Sequence, residues 1–249
     1  ASGQRVKGTY RRGNSGEARA LRSRVLYESD DLIVIDKPAG MAVQGGTGQH
    51  RHIDNLSRGL VEDHEPTPKL VHRLDKDTSG VMLLAKSADA ARRLGKKFKE
   101  GLVRKKYWAV VVGVPELARG VIENDVEKRG GARGDRVIVV PNQGRRALTR
   151  YQMLDRSGSV AAFLALYPET GRTHQLRVHC LGLGTPILGD GKYGGRSAFL
   201  ANLPSARRLH LHARSIQLTL ENGADLCLVA QMPEHMLTTV KSLAFDTGE

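Results

Sequence analysis

The stretch His72-Arg73-Leu74-Asp75-Lys76-Asp77-Thr78-Ser79-Gly80, followed at once by Val81-Met82-Leu83-Leu84-Ala85, decides how this chain is read. The apolar run behind a Thr-Ser-Gly turn reads as a buried strand. The turn ahead of it carries one carboxylate, Asp75, close to the cation Arg73. A carboxylate on a short loop pinned against a core strand is held still, as a nucleophile must be. Asp before a Ser/Gly turn is also ordinary turn chemistry. Spacing alone leaves both readings open.

Outward from this strand the pattern predicts an α+β fold. Upstream, Val25-Leu26-Tyr27-Glu28 and Leu32-Ile33-Val34-Ile35 flank an Asp30-Asp31 turn as two short strands, and residues 53–64 have helical spacing through Ile53, Leu56, Leu60 and Val61. Downstream, Ser87 caps a helix over 88–100 that Gly101 ends. Its inward positions are Ala91, Leu94 and Phe98, and Arg92, Arg93, Lys96, Lys97 and Lys99 form a cationic outer side that could touch phosphate or simply be solvated. Strands are predicted at 107–112, 121–126, 136–140, 147–154, 160–167, 215–220 and 226–230, with a short helix at 172–181 and a last helix from Pro233. Hairpin-like spacing without regular strand–helix alternation implies a mostly antiparallel, mixed sheet with flanking helices.

Composition narrows the partner. The 249 residues suffice for one large domain, placed at 25–249, and 39 Lys and Arg against 26 acids give a net charge of +13. That excess is the footprint expected of a nucleic-acid partner, although solubility alone can require charge. Aromatic residues are only 4%, which argues against sequence-tolerant base stacking on single strands and for a folded RNA met through its backbone. Cys180 and Cys227 have no metal or disulfide spacing, which points to a reducing compartment. No apolar run is long enough for a membrane span, and no secretory signal is evident. Residues 1–24, with Arg5, Lys7, Arg11, Arg12, Arg19, Arg22 and Arg24 against Glu17, are expected to be a basic arm or linker. Three origins stay open for it: an RNA-contacting arm, a linker to an upstream domain, or a trimmed organellar leader.

HRLDKDTSG at 72–80 resembles the signature of the RluA family of pseudouridine synthases. Lys105-Lys106-Tyr107-Trp108-Ala109-Val110 and Gly171-Arg172-Thr173-His174-Gln175-Leu176-Arg177-Val178-His179 match the same family in the same order, with Asp36-Lys37-Pro38-Ala39-Gly40 and Pro186-Ile187-Leu188-Gly189-Asp190 at either end. The likeness runs from about Val25 to about Met232. Within the family, GMAVQGG at 40–46 is most similar to RluC-type enzymes of large-subunit ribosomal RNA, with Gln44 standing where His is expected. The resemblance implies the pseudouridine synthase catalytic fold, without the small RNA-binding domain that related enzymes often carry upstream.

The implied reaction breaks the bond from uracil nitrogen to ribose, turns the base and rejoins it through carbon. It consumes no water and needs no metal, redox cofactor or other cofactor. By resemblance Asp75 is catalytic, either attacking the sugar or removing a ring proton. A carboxylate in a dry pocket needs a cation to stay ionised, and Arg suits that by its two-pronged geometry. Arg177, at the edge of the buried stripe of its helix, is the candidate, and the resemblance pairs it with the catalytic Asp. Tyr107 is implied to stack on the base and to take the leaving proton, for which its hydroxyl would need activation. Arg73 is implied to help open the RNA, since a stacked base must be extruded. His72, Arg172 and His174 complete the expected RNA-binding set, and Leu211, with Leu209, is either an apolar floor under the base or core packing.

Other chemistries fit less well. Gly45-Gly46-Thr47-Gly48 lacks the Lys-Ser/Thr ending of a phosphate loop. His50, His52, His64 and Asp63 match no standard metal spacing, and zinc-deaminase ligands are missing. Asp75 and Asp77 are too close in sequence for the paired carboxylates of a glycosidase. The expectation is therefore an RNA pseudouridine synthase acting on ribosomal RNA, free or within a ribosomal particle, as a monomer without membrane contact. It would work in the bacterial cytoplasm, or in the mitochondrial matrix if the chain is a processed organellar protein. The rival is a catalytically silent ribosomal-RNA binding or assembly factor of the same fold, and a base-releasing glycosidase is a weaker third.

Overall fold

The computed structural model describes residues 16–45, 51–130, 135–201, 203 and 207–248. In chain order its strands are β1 (Val25–Glu28), β2 (Leu32–Lys37), β3 (Lys69–Leu70), β4 (Ser79–Ala85), β5 (Arg104–Val112), β6 (Arg119–Arg129), β7 (Arg136–Val139), β8 (Arg145–Ser157), β9 (Ala161–Pro168), β10 (Leu211–Thr219) and β11 (Asp225–Val229). The helices are α1 (Gly16–Arg22), α2 (Ile53–Leu56), α3 (Ala88–Lys99), α4 (Gln175–Gly182) and α5 (Glu234–Ser242). The strands form one 11-stranded sheet in the order β1-β2-β4-β10-β5-β9-β8-β6-β7, with β3 also on β4 and β11 also on β10. Every ladder is antiparallel except the short one between β4 and β10.

Every residue of β4 is buried, because helices cover both faces of this part of the sheet. Val81, Leu83 and Ala85 pack with Leu32 and Val34 of β2 under Ala90 and Leu94 of α3. Met82 and Leu84 point the other way, with Ile33, Ile35, Leu21 of α1 and Ile53 and Leu56 of α2. The second half repeats the arrangement. Ala109, Leu164 and Leu166 pack against Leu176 and Cys180 of α4, while Trp108, Val110 and Phe163 pack against Met236 and Val240 of α5. Each fully buried Leu, Ile or Phe side chain contributes about 1.5–3 kcal/mol relative to exposure. The α+β, mostly antiparallel architecture is the one expected from the sequence.

Several boundaries differ from the sequence expectation, each for a local reason. The helix expected over 53–64 is one α-turn followed by a 3-10 turn, Ser57–Leu60, after which Val61 is extended. Gly59 lies in that tight turn, where helix propensity is poor. The helix expected over 172–181 starts at Gln175, because His174 takes a left-handed conformation at φ 52°. β10 begins at Leu211 rather than 215, since a bulge between Ala213 and Ser215 breaks the alternation that would have marked it. Within the basic zone, α1 buries Ala18 and Leu21, and Arg22 bonds Glu28 at 2.6 Å and the Leu60 carbonyl at 2.9 Å. The packed unit thus includes residues that the sequence reading placed in the arm. The rest of that expectation, including Arg5, Lys7, Arg11 and Arg12, lies outside the described residues.

The β4–β10 ladder pairs His212 with Ser79 and Ala213 with Gly80. Gly80 has φ 110°, and a Cβ there would stand 2.2 Å from the Ala213 carbonyl oxygen. Beside it the Ser79 hydroxyl meets His212 Nδ1 at 2.9 Å, while His212 Nε2 faces the Ala230 carbonyl at 3.3 Å. A carbonyl can only accept, so Nε2 carries the proton and Ser79 donates to Nδ1. Gly80→Ala is expected to combine backbone strain with a main-chain clash and to cost at least about 3 kcal/mol. Urea denaturation of the variant checks this.

Candidate active site

The sequence-predicted residues come from separate elements and meet at one end of the β4–β10 seam. Asp75 lies in the loop before β4, Tyr107 on β5, Leu211 at the start of β10, Arg172 and His174 on the loop into α4, and Arg177 on α4. With His72 and Arg73 they all line one cleft of about 600 Å³. A second hollow of about 620 Å³ shares Asp75, His174 and Arg177, and its rim carries Lys76, Lys192, Arg207 and Arg208. Asp75 therefore stands between an apolar-floored cleft and a cationic one.

The loop holding Asp75 is fixed from several sides. Leu74 is buried beneath it, and the Thr78 N–H bonds the Asp75 carbonyl at 3.2 Å. His72 accepts the Leu83 N–H at 2.9 Å through Nε2 and stacks on Phe98 with ring centroids 4.5 Å apart. Burial pushes its pKa down to about 3, with Lys105 acting in the same direction. His72 is thus a neutral acceptor that clamps the loop, and its Nε2 is already engaged. Under the loop the fully buried Lys37 donates to the carbonyls of Pro38, Met41 and Lys76 at 2.9, 2.8 and 3.0 Å. Burial pushes Lys37 down to about 8 against the pull of Asp77, Asp75 and Asp36. Sequence reading assigned Lys37 no role; its only signal was the DKPAG motif.

Arg177 approaches Asp75, but its fork is turned elsewhere. Its Nε and Nη2 grip the buried Asp190 at 2.8 and 2.7 Å, and only Nη1 turns to Asp75, at 3.8 Å. The two-pronged bond goes to Asp190 because that carboxylate is sealed in and needs full compensation. Asp75 keeps 16% of its side chain exposed and lines both hollows. His174 Nε2 approaches Asp75 from the other side at 3.9 Å. Asp190 also escaped sequence reading as a site residue, although it closes the quoted motif at 186–190.

The remaining residues divide into floor, wall and rim. Tyr107 touches both apolar clusters on its face of the sheet and forms the cleft wall with Leu211. Leu211 is at once core and floor. Burial, reinforced by the charge of Asp75, raises the Tyr107 pKa well above its ordinary value. That shift favours the protonated phenol. Arg73 and Arg172 are exposed at the rim, and Arg172 bonds the Arg146 carbonyl at 3.0 Å. Gln175 holds that loop, donating to the Leu148 carbonyl and to Thr149 Oγ1, each at 3.0 Å. The cationic side of α3 is mostly occupied by acids: Arg93 pairs with Asp31, Arg92 with Asp89, and Lys97 with Glu221. From that face Lys99 reaches the cleft.

Asp190→Ala should cost about 3–5 kcal/mol, because it strands a buried guanidinium. Adding Arg177→Met should recover much of that stability. Guanidinium denaturation of the single and double variants reads both effects.

Comparison with known proteins agrees with this geometry. Residues 31–181 match the family of RNA pseudouridylate synthases. An uncharacterised RNA pseudouridine synthase of Zymomonas mobilis is 37% identical over 215 residues, 86% of this chain and 95% of the relative. Ribosomal large subunit pseudouridine synthase C of Rickettsia bellii is 37% identical over 212 residues, 85% of this chain and 69% of the relative. Among solved structures, human RNA Pseudouridylate Synthase Domain Containing 4 superimposes with a TM-score of 0.77 at 32% identity, covering 93% of this chain and 97% of that one. A cleft that brings Asp75, an aromatic wall and a cationic rim together, in a chain this similar over most of its length, has one reading: the chain belongs to the RNA pseudouridylate synthase family and is an RNA pseudouridine synthase.

Proposed function

We propose that the chain converts uridine to pseudouridine in large-subunit ribosomal RNA, with Asp75 as the catalytic carboxylate. The observation carrying this is the state of Asp75 at the cleft. It is flanked at 3.8 and 3.9 Å by a guanidinium and an imidazole, yet no donor of the protein occupies its side-chain oxygens at hydrogen-bond distance among the described residues. A carboxylate so placed has a fixed guanidinium and an imidazole beside it, while its oxygens face the cleft, open to the ribose or the base. Arg177, anchored by Asp190, is the fixed positive charge. Its rigidity means little reorganisation is needed when charge moves in the transition state.

Tyr107 supplies a flat wall against which the detached base can turn without leaving the cleft. Held as a phenol, it acts by packing and by hydrogen-bond donation and not as a base. Leu211 closes the floor and excludes water, which would otherwise capture a reactive sugar. Arg73 stands at the rim, where a target base leaves its stack and a cation can fill the vacated space. Lys76, Lys192, Arg207 and Arg208 around the second hollow suit the phosphates on either side of the target. Ribosomal RNA as substrate is supported by the names of the bacterial relatives, which also favour the bacterial cytoplasm over an organelle as the place of action.

Two measurements test this. Chemical labelling of pseudouridine in large-subunit ribosomal RNA, with and without the protein, should show new sites at unchanged RNA mass. Asp75→Asn should abolish them while RNA affinity falls less than about tenfold. Labelling that persists in this variant would move the chemistry elsewhere, and binding without labelling by the wild type would make the chain a silent binder. For Tyr107, replacement by Ala should lower kcat/KM at least about tenfold more than replacement by Phe, because the ring and not a phenolate carries the role.

A further inference from the structure

His174 is held at the inner end of a chain of hydrogen bonds that starts on an outer strand, and its Nε2 stands 3.9 Å from Asp75. The Val137 N–H of β7 bonds the Tyr193 hydroxyl oxygen at 2.9 Å, and the same hydroxyl lies 2.7 Å from His174 Nδ1. A peptide N–H can only donate, so Tyr193 is an acceptor toward Val137. Among the described residues its single proton then has one partner within reach, His174 Nδ1. The opposite arrangement, with Nδ1 protonated, would leave the buried Tyr193 proton unpartnered. It would also aim the lone pair of Nε2 at the Asp75 carboxylate, 3.9 Å away. The scheme that satisfies every proton has Tyr193 donating to Nδ1 and Nε2–H facing Asp75.

We propose that Tyr193 is a positioning residue that fixes the tautomer of His174, so that its Nε2–H is presented to Asp75 as a second, uncharged donor beside Arg177. The backbone supports this. His174 takes a left-handed conformation at φ 52°, uncommon for a non-glycine residue, which turns its ring into the gap between Tyr193 and Asp75. Tyr193 itself is locked. Its N–H bonds Asp190 Oδ1 at 3.2 Å, the Arg177 guanidinium lies 4.9 Å from its ring centroid, and Val126, Val137, Ala147 and Val178 pack around it. Burial lowers the His174 pKa, with Asp75 opposing and Arg177 and Lys192 assisting, so the imidazole is neutral and its tautomer matters. The two donors divide the work. Arg177 provides charge that does not change, and His174 provides a proton whose direction is set by a hydroxyl outside the cleft.

The same hydroxyl ties β7 to the reaction. β7 is the outermost strand on its side of the sheet, and Arg136 and Lys192 further bridge it to the Tyr193 segment through the Lys192 and Asp135 carbonyls, each at 2.5 Å. Withdrawal of this strand would remove the acceptor role that commits Tyr193 to donate.

The test uses the full chain and begins without turnover. In ¹⁵N-labelled wild type, the His174 ring signals, identified by their loss in His174→Gln, should show an unprotonated Nδ1 and a protonated Nε2. Tyr193→Phe should remove that preference and lower kcat by about tenfold with little change in KM. A glutamine at 174 has its amide nitrogen near the place of Nε2 and no tautomer to set. In that background Tyr193→Phe should therefore cost nothing further in kcat, whereas a merely structural Tyr193 would cost the same in both. A protonated Nδ1 in the wild type, or equal losses in the two backgrounds, overturns the proposal. The inference rests on the role proposed for Asp75. If the chain turns over no RNA at all, that role fails, and the ring signals alone decide the tautomer.

Discussion

The close approach of β4 to β10 is the constraint on which the rest of the molecule depends. Two residue pairs, His212 with Ser79 and Ala213 with Gly80, are the ladder through which the sheet order passes from one half to the other. The approach is so tight that only hydrogen fits at Gly80. Beside it, a neutral His212, pushed down to about 4 by burial, links Ser79 to the Ala230 carbonyl. Because β4 and β10 run parallel, the loop entering β4 and the loop entering β10 emerge at the same end. That end is where Asp75 and Leu211 face each other across the cleft. With antiparallel pairing the two loops would lie at opposite ends.

Below the cleft the protein carries buried charge that a purely structural domain would avoid. Lys37 is satisfied by carbonyls alone, and Arg177 and Asp190 compensate each other almost out of reach of water. Buried ion pairs of this kind add little net stability over apolar packing of the same volume. What they supply is position. Lys37 ties the turn after β2 to the backbone of Lys76, next to Asp75. Asp190 fixes the plane of the Arg177 guanidinium so that one nitrogen is left for Asp75. The charges nearest Asp75 are thereby immobile, while Arg73 and Arg172 at the rim stay exposed.

Short-range information in the sequence carried most of the fold and the identity of the central residues. Alternating or continuous apolar runs mark β2, β4, β5 and β9 because both faces of those strands are covered, and Ser87 and Gly101 mark the ends of α3 because caps act within one turn. Excess positive charge and the HRLDKDTSG stretch directed attention to RNA and to Asp75. The residues expected at the site do share one cleft. Local signals failed where geometry turns on one residue: the left-handed His174 that delays α4, the bulge that hides the start of β10, and the core contacts of Ala18 and Leu21 in a segment that reads as a basic arm.

Partnership was the part the sequence could not hold. Arg177 is equally able to grip Asp75 or Asp190, and only the folded chain assigns its fork to the sealed Asp190 and a single nitrogen, at 3.8 Å, to Asp75. Tyr107 reads as a lone Tyr at a strand start, and only burial and the nearby Asp75 raise its pKa. Lys37 has no role legible in the sequence, and only the fold closes three carbonyls around it. Residue type and local pattern are written in the chain, so they determine strands, caps and net charge. Pairing energies and proton affinities depend on distance and burial between residues far apart in sequence, and those exist only once the sheet has closed at its seam.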